Sequence, residues 1–122
     1  MEKAERSITT EIAKAILSFD RRAVPEKVMQ IARTNLLDCT GVAIAGAVEK
    51  VSRFVTEYAV GLGKGKHAVW GGRERTSAAA AAMANGTAAH ALDFDDSNQS
   101  LTGHPTAPIW PAVFSAALEK GA

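Results

Sequence analysis

One cysteine, Cys39, in 122 residues leaves no partner for an internal disulfide, so packing alone must hold the fold. Charge of one sign is missing as well. Fourteen Lys and Arg face thirteen Asp and Glu, and a formal net charge of +1 provides no field to gather nucleic acid or an anionic membrane. The apolar stretches are alanine-rich and interrupted by polar residues, short of the roughly 18 consecutive apolar residues that cross a bilayer. No apolar N-terminal run follows a basic start, so the sequence gives no sign of a secretory signal and predicts a cytoplasmic protein. Two sequons, Asn85-Gly86-Thr87 and Asn98-Gln99-Ser100, would matter only in a secreted chain. Internal repeats and Pro- or Ser-rich linkers are also lacking, and the only low-complexity stretch is Ala78 to Ala82.

The composition that remains, 47% hydrophobic and 22% charged, is that of one ordinary soluble domain or a piece of a larger one. A chain of this size buries roughly two-thirds of the surface it exposes when unfolded. Ile8, Ile12, Ile16 and Phe19 recur at helical spacing and predict an amphipathic first helix, which Asp20-Arg21-Arg22 interrupts. Pro25 suits the first position of a long second helix, Glu26 suits its positive end, and Gly46 is its expected stop. Val51, Phe54, Val55, Tyr58, Ala59 and Leu62 mark a third, closed by the glycines of Gly61 to Gly65.

His67-Ala68-Val69-Trp70 reads as an isolated extended segment leading into Gly71-Gly72. Ser77 can cap a fourth helix from Ala78 to Ala84, which Asn85-Gly86 should terminate before Thr87 restarts one through Leu92. A polar loop from Asp93 to Pro105 precedes a last helix from Ile109 to Leu118, with Pro111 expected in its first turn. Its Ile109, Val113, Ala116 and Ala117 form an apolar face in need of partners.

The chemistry concentrates between His90 and His104, where Asp93, Asp95, Asp96 and both imidazoles fall within fifteen positions. Read blandly, this is a solvated acidic loop between helices. Read functionally, three crowded carboxylates that were buried together would push at least one pKa upward, which suits acid/base work or a metal. As a calcium loop starting at Asp93 the segment fails twice, with Asn98 where glycine is needed and His104 where a bidentate glutamate is needed. A magnesium-diphosphate pattern fails because Gln99 and Ser100 stand where a second acidic group belongs.

Other motifs also dissolve. Gly61 to Lys66 lacks the third glycine of a dinucleotide fingerprint and the Gly-Lys-[Ser/Thr] of a P-loop. Cys39 on an apolar helix face reads as core, and Trp70 and Trp110 read as packing anchors.

Met83-Ala84-Asn85-Gly86-Thr87-Ala88-Ala89-His90-Ala91-Leu92-Asp93-Phe94-Asp95-Asp96, followed by His104-Pro105, resembles the signature of the MmgE/PrpD family. The segment from Ala32 to Gly46 is similar to that family's early helix, so the resemblance covers essentially the whole chain. Members include 2-methylcitrate dehydratase, cis-aconitate decarboxylase and iminodisuccinate epimerase. The resemblance implies an all-α fold, with residues 1–122 as the N-terminal part of a large helical domain whose remainder and smaller lid domain lie outside this chain. It also implies a small di- or tricarboxylate substrate, no cofactor or metal, and a homodimer as the complete enzyme.

Carried over by position, Asp93 matches the family's active-site aspartate, Ser97 a position that is threonine in the decarboxylases, and His104 the first active-site histidine. Proton removal beside a carboxylate creates an enediolate-like dianion, which needs a base and nearby donors or cations. His104 would transfer the proton while Asp93 and Ser97 orient it or the substrate. Ser97 lacks the threonine methyl, and the Asp93 to His104 spacing is one residue longer than in the decarboxylases, which argues against decarboxylase activity. A further histidine and the substrate-binding lysines would lie beyond Ala122, leaving this chain inactive alone. The alternatives are an epimerase sharing the same proton abstraction and a non-catalytic helical interaction module.

Overall fold

A computed structural model describes residues 7–121. Its contacts divide them into a segment up to Ile31 and a larger unit from Ala32 onward. In the first segment, α1 (Ile8–Leu17) is followed by a 3-10 turn (Arg21–Ala23) and the start of α2 (Glu26–Gly46). The expected break falls at Asp20, whose carboxylate accepts from Arg22 N at 2.9 Å and caps the turn. Phe19 therefore lies outside α1, two residues past its end. The apolar stripe predicted for α1 is present, with Ile8, Ile12 and Ile16 all exposed.

In the larger unit, α2 ends at Gly46 as expected, and α3 (Lys50–Gly61) follows after a short turn. His67–Ala68 (β1) is not isolated: it pairs antiparallel with Arg75–Thr76 (β2) in the register His67 with Thr76 and Ala68 with Arg75. Gly71, at φ 79°, supplies the left-handed conformation that folds the connection back. The buried Thr76 hydroxyl faces two carbonyls of the α3 end, Ala59 O at 2.9 Å and Gly63 O at 2.8 Å. Buried His67 donates from Nε2 to Glu119 Oε1 at 2.6 Å, tying β1 to the far end of the chain.

Two helices differ from the sequence reading. Helix α4 (Ala78–His90) is capped by Ser77 as expected but runs unbroken through Asn85-Gly86. Asn85 is buried, accepting from Trp70 N at 2.8 Å and donating to Ala68 O at 3.1 Å. Tertiary hydrogen bonds thus override a local turn signal. Helix α5 (Thr106–Lys120) begins three residues early, because the Asp96 carboxylate accepts from Thr106 N at 3.1 Å and Thr106 Oγ1 at 2.8 Å. Pro111 consequently lies inside the helix rather than in its first turn. It denies Ala107 O the usual helical donor, and that carbonyl faces Gly86, where a Cβ would approach within 3.2 Å.

Small residues let these helices meet closely. Cys39 and Ala43 of α2, Ala88 and Ala89 of α4 and Ala107 of α5 form one buried cluster, with Trp70 and Trp110 packed against it. Ala59, Val69, Ala80 and Ala84 form a second. Trp70, Trp110 and Phe114 stack at 5.2–6.5 Å between centroids, and Trp110 Nε1 donates to Thr40 Oγ1 at 2.9 Å. Both tryptophans are packing anchors, as the sequence suggests. The architecture is mostly helical, with five α-helices and one two-stranded ribbon among the described residues. No helix among them is long and apolar enough to cross a membrane.

Candidate active site

His90 is the last residue of α4, and the chain leaves that helix through Asp93, whose N–H donates to His90 O at 3.1 Å. Asp93 sits at φ 56°, a left-handed conformation that aspartate tolerates better than most side chains. The loop then closes on itself. Asn98 N donates to Gly103 O at 2.9 Å, Gly103 N returns a bond to Asn98 O at 3.3 Å, and Asn98 Oδ1 accepts from Leu101 N at 2.9 Å. This closure brings His104 back beside Asp95, just before the α5 cap formed by Asp96.

The three carboxylates have separate surroundings, so they are not buried together as the crowded reading supposed. Asp93 has a side chain 77% exposed, Asp96 serves as the α5 cap, and only the Asp95 side chain is fully buried, at 0%. A buried carboxylate without partners would cost several kcal/mol. Asp95 meets that cost with imidazoles. His90 Nδ1 lies 3.0 Å from Asp95 Oδ1 and 3.1 Å from Oδ2, while His104 Nδ1 lies 3.4 Å from Oδ2 and 3.3 Å from the Asp95 carbonyl.

Both Nδ1 atoms face oxygens that only accept, so each must carry the proton and donate, which makes Nε2 the exchangeable atom of each ring. His104 Nε2 lies 3.5 Å from Asp93 Oδ1, and the two rings are 4.8 Å apart between centroids. Cys39 adjoins the same region. Its thiol is pushed up to about 11, first by burial and then by the negative field of Asp95, Asp96 and Asp38. It is held protonated and inert as a nucleophile, in keeping with its reading as core.

Both histidines line a cavity of about 870 Å³, walled otherwise by Val51, Ala82, Met83, Gly86, Thr87, Ala91, Ala107 and Pro108. That volume lies in the range of small-molecule sites. The sequence-derived pair Asp93 and His104 is brought together here. Ser97 is not: it is exposed on the loop and shares no hydrogen bond with either among the described residues. His90 and Asp95 were missed as site residues, although a histidine ending a helix five positions before an aspartate was a signal available in the sequence.

One ligand atom each from His90, Asp93, Asp95 and His104 lies within 4.8 Å of the others, a set that can bind a divalent ion and that includes His90, outside a loop pattern starting at Asp93. An ion bound through either Nδ1 would have to displace that ring's bond to Asp95.

The model of the MmgE/PrpD N-terminal domain matches residues 10–122. Among curated proteins, human cis-aconitate decarboxylase is 29% identical over 114 residues, covering 92% of this chain and 24% of the relative. The mouse cis-aconitate decarboxylase is 28% identical over 110 residues, covering 88% and 22%. This chain therefore spans about a quarter of the length of the curated relatives it matches. No solved structure matches it. The family model covers nearly the whole sequence, and the chain belongs to the MmgE/PrpD family.

Proposed function

We propose that the complete protein is a lyase acting on a small di- or tricarboxylate by imidazole-mediated proton transfer, with a 2-methylcitrate-type dehydration as its reaction. The observation that carries this reading is His104 at the cavity wall, gripped at Nδ1 by Asp95 and flanked at Nε2 by Asp93. A histidine so held presents one nitrogen in one orientation, as a general base must. In dehydration, His104 Nε2 takes the proton from a carbon beside a carboxylate. The electron pair forms the alkene as the neighbouring hydroxyl departs. Asp93, 3.5 Å from Nε2, stabilises the imidazolium that results. Ser97, exposed on the same loop, would contact the substrate rather than His104. The reading includes a homodimeric, cytoplasmic enzyme without a cofactor, in which cations from outside the described cavity wall hold the substrate carboxylates.

The human and mouse relatives favour decarboxylation of cis-aconitate as a second reading. The longest polypeptide containing this chain should be given 2-methylcitrate, cis-aconitate and iminodisuccinate separately. Dehydration yields an alkene conjugated to a carboxylate, read by ultraviolet absorbance; decarboxylation releases carbon dioxide; epimerisation changes only optical rotation. Alkene formation from 2-methylcitrate is the expected result. Carbon dioxide from cis-aconitate without it would replace the dehydratase by a decarboxylase, and no turnover of any of the three would leave a non-catalytic helical module.

A further inference from the structure

The reaction needs two proton movements, and His104 accounts for one. A hydroxyl leaving as hydroxide is a poor leaving group, so a donor must stand near the base. The residue whose carbonyl holds His104 Nδ1 at 3.3 Å, with its carboxylate 3.4 Å away, holds His90 Nδ1 through that buried carboxylate at 3.0 and 3.1 Å. His90 is also accessible, with a side chain 55% exposed and lining the same cavity. Reactive geometries hold each catalytic atom about 3–3.5 Å from its target. Rings 4.8 Å apart can serve neighbouring carbons at once. One Asp95 carboxylate between two rings also balances one positive charge, the state that a neutral base beside a protonated acid requires.

Resting on the lyase reading above, we propose that His90 is a second acid/base residue of this site, with Asp95 as the positioning residue that holds His90 and His104 by Nδ1 and leaves Nε2 of each to move a proton. His104 takes the carbon-bound proton. The C–H electron pair becomes the second bond of the alkene while the C–O bond breaks, and the departing oxygen takes the proton of His90 Nε2 and leaves as water. His104 ends protonated and His90 neutral, so one proton passed through solvent from the first to the second resets the site. No electron is gained or lost.

The test uses the longest polypeptide containing this chain and the substrate it turns over. His90→Gln should lower kcat about a hundredfold, the usual scale for losing a general acid/base, with KM within about threefold and with one ionisation missing from the pH profile. Asp95→Asn should lower kcat and change the 15N shifts of the His90 imidazole more than those of His104, since His90 Nδ1 loses its anionic acceptor for a neutral amide while His104 Nδ1 keeps the Asp95 carbonyl. In the wild type, 15N spectra should show both rings protonated at Nδ1. A His90→Gln enzyme with kcat within threefold of wild type, while His104→Asn is crippled, overturns the role of His90 and leaves the lyase reading standing. A wild-type protein that turns over none of the three carboxylates defeats the lyase reading and this inference with it. If His90→Gln fails to fold, a wild-type His90 ring found unprotonated at Nδ1 still overturns the proposal.

Discussion

Asn85→Ala separates two accounts of the α4 interior by the sign of its effect. If Asn85 only interrupts a helix, alanine should stabilise the protein by about 0.5 kcal/mol through helix propensity. The structure gives the opposite sign. The Asn85 side chain accepts from Trp70 N at 2.8 Å and donates to Ala68 O at 3.1 Å, and it is itself buried. Truncation strands one backbone donor and one acceptor of the β1 segment, each costing about 1–3 kcal/mol, so the loss is on the order of 2–5 kcal/mol. At this chain length each kcal/mol moves Tm by about 3–4 °C, which places the fall at about 6–20 °C. Thermal unfolding followed by far-ultraviolet circular dichroism measures it. A Tm that is unchanged or raised would refute the anchoring role and restore the turn reading.

Three further outcomes follow from the same geometry. Gly46→Ala drives a Cβ into the Ala88 carbonyl of α4, so the variant should lose more than about 1 kcal/mol in denaturant unfolding instead of gaining helix propensity. The Glu119 carboxyl is held below its ordinary value, first by the His67 hydrogen bond and then by Lys66, so its stabilisation is present above the unfolded pKa and is lost as pH falls through the folded one. The Tm difference between wild type and Glu119→Gln should therefore narrow as pH drops from 7 to below about 4.5, and a difference that widens would reverse the sign. Turnover should survive EDTA, because the Asp93 to Asp96 segment fits neither metal-loop pattern; loss on chelation and recovery with a divalent ion would mean that His90, Asp93, Asp95 and His104 hold a metal instead.

Helices α1, α2 and α3 were legible because apolar residues at helical spacing and the Asp20, Gly46 and Gly61 breaks are local signals. The departures all involve partners distant in sequence. Asn85-Gly86 carries a turn signal, but Asn85 bonds across to the β1 segment and α4 continues. The α5 start was placed late because its cap, Asp96, stands ten residues before Thr106. The first strand reads as isolated in sequence because β2 has only two residues, Arg75 and Thr76, too few for periodicity to register. At the site, the family resemblance picked out Asp93 and His104, which the loop brings to 3.5 Å. Asp95 and His90 stand in the same dense segment without an assigned role, because charges counted along the loop do not show that only one of three carboxylates is buried, or that a helix end delivers a second imidazole to it.

Whether His104 moves the proton is tested most directly by kcat of His104→Asn in the longest active polypeptide containing this chain. His104 is only partly buried, so the variant should keep the wild-type Tm within a few degrees. Its kcat should fall at least about a hundredfold, and the wild-type pH profile should lose one ionisation. Turnover within threefold of wild type, with that ionisation retained, would contradict the account.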